Sequence, residues 1–222
     1  MKTIAYIQYF FYLAFNWNIK IAIHILRQEI RGEKKYGINT TGADELKSLE
    51  KKGIDIDHAT IYMPVSYDIL EELFNQLNKQ QCHHFLDIGC GKGRALCVAA
   101  ANGIQKVSGI DFSKPLCSMA EKNLAATKLK IPGLEYRIFN NDAFYFSIPA
   151  DVDCIFMFNP FDDVMMSGVA ENIAASVANH PRKITLIYAN PVCKQELLDI
   201  GFKEIFYTKK MNYLEAVILE LA

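Results

Sequence analysis

Residues 85–96 read Phe-Leu-Asp-Ile-Gly-Cys-Gly-Lys-Gly-Arg-Ala-Leu. An apolar run closing on an acid, three glycines at alternate positions and an alanine-rich continuation spell strand, tight turn and helix. Glycine at such a turn removes the Cβ atoms that would keep a ligand away from the backbone. The helix behind it presents unpaired N–H groups and the positive end of its dipole. The segment therefore points to an α/β chain with a ligand seat at the end of its first sheet strand.

Three seats compete. A phosphate-cradling loop needs G-x-x-x-x-G-K-[ST], and Gly-Lys here is followed by Gly93, with no hydroxyl to reach a metal. The dinucleotide turn G-x-G-x-x-G puts its third glycine where this chain has Arg94, which crowds close helix–sheet packing. What remains is D-x-G-x-G-x-G, led by Asp87. An acid at the strand end repels a pyrophosphate but suits a ligand carrying an ammonium and a sulfonium. The bland reading is a βα turn that binds nothing. The pattern resembles motif I of the class I, Rossmann-like S-adenosylmethionine-dependent methyltransferases, in the manner of an uncharacterised bacterial member. The resemblance implies S-adenosyl-L-methionine as cofactor. No metal is expected, because no cluster of ligating residues has metal spacing.

The rest of the chain suits that fold. At 222 residues, half of them hydrophobic and with 14 Phe and 11 Tyr, one large core is within reach. Apolar runs predict strands over 85–88, 107–111, 134–139, 153–158, 184–189, 203–208 and 214–220, with helices over about 94–101, 114–129, 163–178 and 193–198. Ser66 reads as the N-cap of a further helix carrying Ile69, Leu70, Leu73, Phe74 and Leu77 at helical spacing. The last two strands are joined by the short 209–212 turn, which rules out a parallel crossover and demands an antiparallel hairpin. The expected fold is a doubly wound, mostly parallel seven-stranded sheet closing with that hairpin, helices on both faces. The resemblance covers about 60–222, which divides the chain into an N-terminal helical extension and connector (1–60) and a methyltransferase domain (61–222). The connector carries Tyr-Gly-Ile-Asn-Thr-Thr-Gly and a short helical pattern near 44–52.

The first thirty residues are mostly apolar and aromatic. Gln8, Asn16, Lys20, His24, Arg27 and Arg31 form a drifting polar stripe on one side of a helix, with Asn18 and Glu29 off it. No small-residue cleavage site follows, and polar residues interrupt any spanning run. Packing on the domain, a homodimer contact through 4–31 and a peripheral membrane contact remain open. Scattered cysteines without a C-x-x-C pair suit a reduced, cytoplasmic protein, membrane-associated if that helix binds lipid. A net charge of −1 argues against a nucleic-acid partner.

Candidate site residues fall at strand ends, where doubly wound sheets bind ligands. By resemblance, Asp87 meets the cofactor's amino group, and Gly89, Gly91 and Gly93 let the backbone approach it. Asp111, about twenty residues after the turn, is placed to accept ribose hydroxyls, or else to cap the helix near Ser113. The resemblance implies that Phe112, beside it, borders the adenine. Asp142 and Ala143 follow the third strand, the acid meeting the adenine amino group or merely capping a loop. The fourth strand ends in Phe158-Asn159-Pro160-Phe161-Asp162, the position of the [DN]-P-P-[YFW] motif of amino-methylating members. Asn159, Pro160 and Phe161 are therefore the catalytic candidates, although the second proline is missing; the alternative is a plain strand ending before a helix cap. Asp162 and Asp163 are candidate bases, and Tyr62, Tyr67 and Asn190 candidate acceptor-pocket residues. Methylation of a nitrogen, on a protein side chain or small molecule, is the first expectation. O-methylation of a lipophilic molecule and a non-catalytic cofactor-binding module are the alternatives.

Overall fold

The computed structural model describes residues 2–16, 18–42, 63–158, 161–210 and 214–222. The helix expected near 44–52, Tyr62, Asn159, Pro160 and the boundary near residue 60 lie outside them.

Seven strands form one sheet: β1 (His84–Ile88), β2 (Lys106–Asp111), β3 (Glu135–Asn140), β4 (Cys154–Phe158), β5 (Ile184–Ala189), β6 (Lys203–Lys210) and β7 (Leu214–Leu221). Their spatial order is β3-β2-β1-β4-β5-β7-β6. The first five strands are parallel to one another, and β7 enters antiparallel between β5 and β6. The expected hairpin is present. Lys209 and Lys210, expected in its turn, instead extend β6 and pair with Glu215 and Leu214. Strand order reverses between β1 and β4, so a crevice opens at their carboxyl ends.

Among the described residues seven helices accompany the sheet: α1 (Lys2–Asn16), α2 (Ile19–Tyr36), α3 (Tyr67–Gln76), α4 (Arg94–Ala101), α5 (Lys114–Lys130), α6 (Asp163–Asn179) and α7 (Lys194–Asp199). Alternate residues of each central strand serve opposite cores, which is why β1 is buried throughout. Phe85, Phe156 and Ile187 join the side chains of α3, α4 and α5 in one core. Leu86, Ile155 and Leu186 join those of α6 and α7 in the other.

The N-terminal stretch is two helices rather than one. Asn18 starts α2, its side chain accepting from the Ile21 N–H at 2.9 Å. Gly37, at φ 73°, ends it with an N–H to the Glu33 carbonyl. The pair packs on itself through Tyr9, Leu13, Ala22 and Ile25. The expected polar stripe is exposed at Gln8, Asn16, Lys20, Arg27 and Arg31, with His24 half-buried. Polar residues off it, Gln28, Glu29 and Glu33, are buried, and Ile4, Ile7, Phe11, Phe15, Ile19, Ile23 and Ile30 are exposed. Polar residues hold α2 in place, because the sheet domain offers Arg94 and the connector offers Thr40 and Thr41 as partners. Ser66 stands at the N-cap of α3 as expected, but its hydroxyl donates to Gln28 Oε1 at 2.5 Å and makes no cap bond to the helix.

Candidate active site

The turn after β1 has the predicted backbone. Gly89, Gly91 and Gly93 lie at φ 82°, 52° and 77°, a region that side-chain-bearing residues rarely adopt. Gly93 is also space-limited, since a Cβ there would meet the Ala120 Cβ at 3.1 Å. It starts α4, so the first turn of that helix opens directly from the loop. The Gly89 and Cys90 N–H groups both donate to the Ile110 carbonyl at 2.9 Å, fastening the loop to the end of β2.

Two acids close the seat. Asp111 is buried, and its carboxylate accepts from the Gly91 N–H and the Ser113 N–H, each at 2.8 Å. The side chain thus locks the glycine loop to the β2 end, while each oxygen keeps a lone-pair direction unused. Burial pushes its pKa up, and the two N–H donors pull it back. Asp87 is 3% exposed, and no donor among the described residues answers its carboxylate. Burial pushes its pKa well above the ordinary carboxylate range, and the neighbouring Asp111 charge pushes the same way. A buried acid without a cationic partner, beside a glycine loop, fits a ligand that brings an ammonium. The donor set therefore suits the cofactor implied by the glycine turn.

The other predicted residues take varied positions. Phe112 is 39% exposed just beyond β2, where the Asn140 side chain ties down its carbonyl at 2.8 Å. Asp142 accepts from the Phe144 N–H at 2.9 Å, capping the short 3₁₀ turn Ala143–Tyr145. Ala143 packs beside the second core. Phe161 does the same at the start of α6. Asp162 and Asp163, named as candidate bases, cap that helix through the Met165 and Val164 N–H groups. Tyr67, named as a candidate pocket residue, is fully buried, stacked on Tyr36 with Arg94 over its ring at 4.1 Å.

A cavity of about 150 Å³ lies beyond the ends of β4 and β5. Phe158, Ala189 and Asn190 form its sheet side, Val65, Ser66 and Ile69 one flank, and Tyr9, Ile25 and Glu29 the wall supplied by α1 and α2. Asn190 adopts φ 49°, a left-handed conformation that asparagine tolerates better than most residues. Its N–H donates to the Glu215 carbonyl at 2.7 Å.

One group of residues was not foreseen. Arg94 is buried and donates to Glu29 at 2.7 and 2.5 Å, to Thr40 Oγ1 at 2.8 Å and to the Val65 carbonyl at 2.8 Å. Glu33 accepts from the Thr40 and Thr41 N–H groups, each at 2.7 Å, and from Tyr6. Thus the Thr-Thr segment of the connector is clamped between α2 and the glycine loop. Lys92 of that loop donates to the Thr41 carbonyl at 3.4 Å. The only sequence signal was Glu29 standing off the polar stripe.

A serine–histidine–aspartate grouping occurs at the opposite strand ends. His84 Nε2 lies 2.8 Å from Ser108 Oγ, and Nδ1 lies 3.1 Å from Asp151 without hydrogen-bond alignment. Ser108 and His84 are both buried, so the grouping pins strand starts. The six cysteines are buried and unpaired, and among the described residues no cluster suits a metal ion.

Residues 85–180 match the family model of a methyltransferase domain. No curated protein matches the sequence. Among solved structures, the chain is similar to a SAM-dependent methyltransferase from Aquifex aeolicus, at 15% identity and TM-score 0.53, with 69% of this chain and 89% of that one covered. It is also similar to the magnesium protoporphyrin IX methyltransferase of Synechocystis with bound SAH, at 17% identity, TM-score 0.50, and 69% and 78% coverage. Against the S-adenosylmethionine-dependent methyltransferase SibL the identity is 16% and the TM-score 0.53, with 68% of this chain aligned to 53% of that chain.

Proposed function

We propose that the chain is a Rossmann-like S-adenosylmethionine-dependent methyltransferase, as the methyltransferase-domain match over residues 85–180 supports, and that it transfers a methyl group to a nitrogen of a protein side chain or small molecule. The observation that carries the cofactor half is the buried, unanswered Asp87 carboxylate beside the glycine turn. The bound cofactor supplies an electrophilic methyl on a sulfonium, leaving a neutral thioether. The chain's own task is then alignment and desolvation. Asp87 holds a positive group at the end of β1. The glycine loop lets a ligand approach the backbone closely, and Asp111 keeps that loop rigid while its remaining lone pairs would receive hydroxyl donors.

The nitrogen half rests on Asn159-Pro160-Phe161, directly after β4. An asparagine oxygen accepts from a target N–H and turns the nitrogen lone pair toward the methyl. An aromatic ring steadies a planar acceptor or positive charge developing on nitrogen. The cap bonds of Asp162 and Asp163 favour a positioning mechanism over a carboxylate base. The mostly apolar cavity lining supports the second reading, O-methylation of a lipophilic molecule.

Asn159→Ala tests the first reading. Turnover of a labelled methyl group onto amine and amide acceptors is expected to fall by roughly 10²-fold, the scale of a lost positioning contact, with SAH affinity by calorimetry unchanged. Undiminished transfer to phenolic acceptors would favour the second reading. Tight SAH binding with no transfer to any acceptor class would leave a binding module.

A further inference from the structure

The outer side of the α1–α2 pair has a composition that neither the sheet domain nor the methyl-transfer site uses. On α1, Ile4, Ile7, Phe11 and Phe15 recur every three or four residues, which places them on one face. They are 61%, 52%, 55% and 88% exposed. On α2, Ile19, Ile23, Arg27, Ile30 and Lys34 recur at the same steps and are likewise exposed. Large apolar side chains gathered this way mark a contact surface.

Charge selects the occupant. Helix α1 contains no acidic residue, and the two acids of α2, Glu29 and Glu33, are buried against Arg94 and the Thr40–Thr41 backbone. Every exposed charge of α2 is therefore positive at neutral pH: Lys20, Arg27, Arg31, Lys34 and Lys35. Arg31 and Lys35 reach Asp68 and Glu71 of α3, which leaves Lys20, Arg27 and Lys34 with the isoleucines. The whole chain carries a net charge of −1, so this positive character is local. A second copy of the same face would set these cations against themselves across a two-fold axis, and like charges oppose such docking. An anionic bilayer surface offers apolar depth for the phenylalanines and isoleucines and negative headgroups for the lysines and arginine. Among the described residues no helix is long and apolar enough to cross a membrane, so the pair would lie along the surface.

We propose that the outer face of α1 and α2 docks the protein on an anionic lipid surface. The full chain is sedimented with vesicles of phosphatidylcholine alone and of phosphatidylcholine with about one third phosphatidylglycerol. Binding to the anionic vesicles is expected to exceed that to neutral ones and to weaken in high salt. Phe11→Ser with Phe15→Ser lowers it by roughly tenfold or more, since two large apolar groups are withdrawn. Arg27→Glu with Lys34→Glu removes the anionic preference, whereas Leu129→Ser, an exposed apolar site on α5, leaves binding unchanged. Circular dichroism and SAH titration verify that each variant is folded, and they report on the methyl-transfer site separately. Absent or charge-indifferent binding overturns the proposal. So does a dimer in light scattering that the Phe11/Phe15 variant splits while vesicles stay unbound.

Discussion

Glu29→Ala is the sharpest perturbation of this architecture. The wild-type carboxylate is 1% exposed and accepts two charge-assisted bonds from Arg94, itself 3% exposed. Alanine removes both bonds and leaves a guanidinium in a dry site, where among the described residues Thr40 Oγ1, the Val65 carbonyl and the Tyr67 ring still meet it. Two such bonds at about 1.5–3 kcal/mol each agree with the roughly 3–5 kcal/mol observed when one partner of a buried pair is deleted. A loss near 4 kcal/mol is about three decades in the folding equilibrium and a large part of a typical domain's stability. Urea unfolding measures it, and hydrogen exchange locates it. The α2 amides and those of residues 40–41 are expected to lose protection first, because Glu29 and Glu33 fasten that region. Arg94→Met on top of Glu29→Ala should restore part of the loss, since no unpaired charge remains. A cost below about 1 kcal/mol for Glu29→Ala would refute the reasoning, for it would mean that α2 is not docked through a desolvated pair.

The cofactor seat yields two further outcomes. Gly93→Ala forces a side-chain-bearing residue to φ 77° and drives its Cβ toward Ala120 at 3.1 Å; a stability loss of about 1–3 kcal/mol is expected in thermal melts, together with weaker SAH binding by calorimetry, and an unchanged melt would show that the loop relaxes freely. Asp87 has a folded pKa raised by burial and by Asp111, so above about pH 4 the folded chain retains a proton that the unfolded chain releases. Stability of the ligand-free protein should accordingly fall as pH rises through that window. Asp87→Asn should flatten the fall, and saturating cofactor should diminish it, because a bound ammonium favours the charged acid. A wild-type profile identical to that of Asp87→Asn would show that the acid is solvated.

Local patterns made the sheet readable. The β1–turn–α4 unit, the alternating strands and helices and the closing hairpin each depend on neighbours in sequence: side-chain periodicity, glycine at positive φ and a turn too short for a crossover. The acids at the ends of β1 and β2 were legible for the same reason. Reading failed where a residue's partner was remote. Arg94 looked like an obstacle to close packing until Glu29, 65 residues earlier, met it. Ser66 stands at the cap position, but Gln28 claims its hydroxyl. Tyr67, a candidate pocket residue, is enclosed by Tyr36 and Arg94.

The sequence by itself determined a Rossmann-like sheet with a glycine turn and an acid at the ends of its first two strands, since short-range sterics and hydrophobic period suffice for both. Only the tertiary structure decided which side of α2 faces inward. A polar side chain is buried or exposed according to the partners that packing supplies, and no local pattern contains them. The same packing set Tyr9, Ile25 and Glu29 into the wall of the cavity beyond β4 and β5. It also turned Ile4, Phe11 and Phe15 outward, where the chain's apolar start becomes a surface.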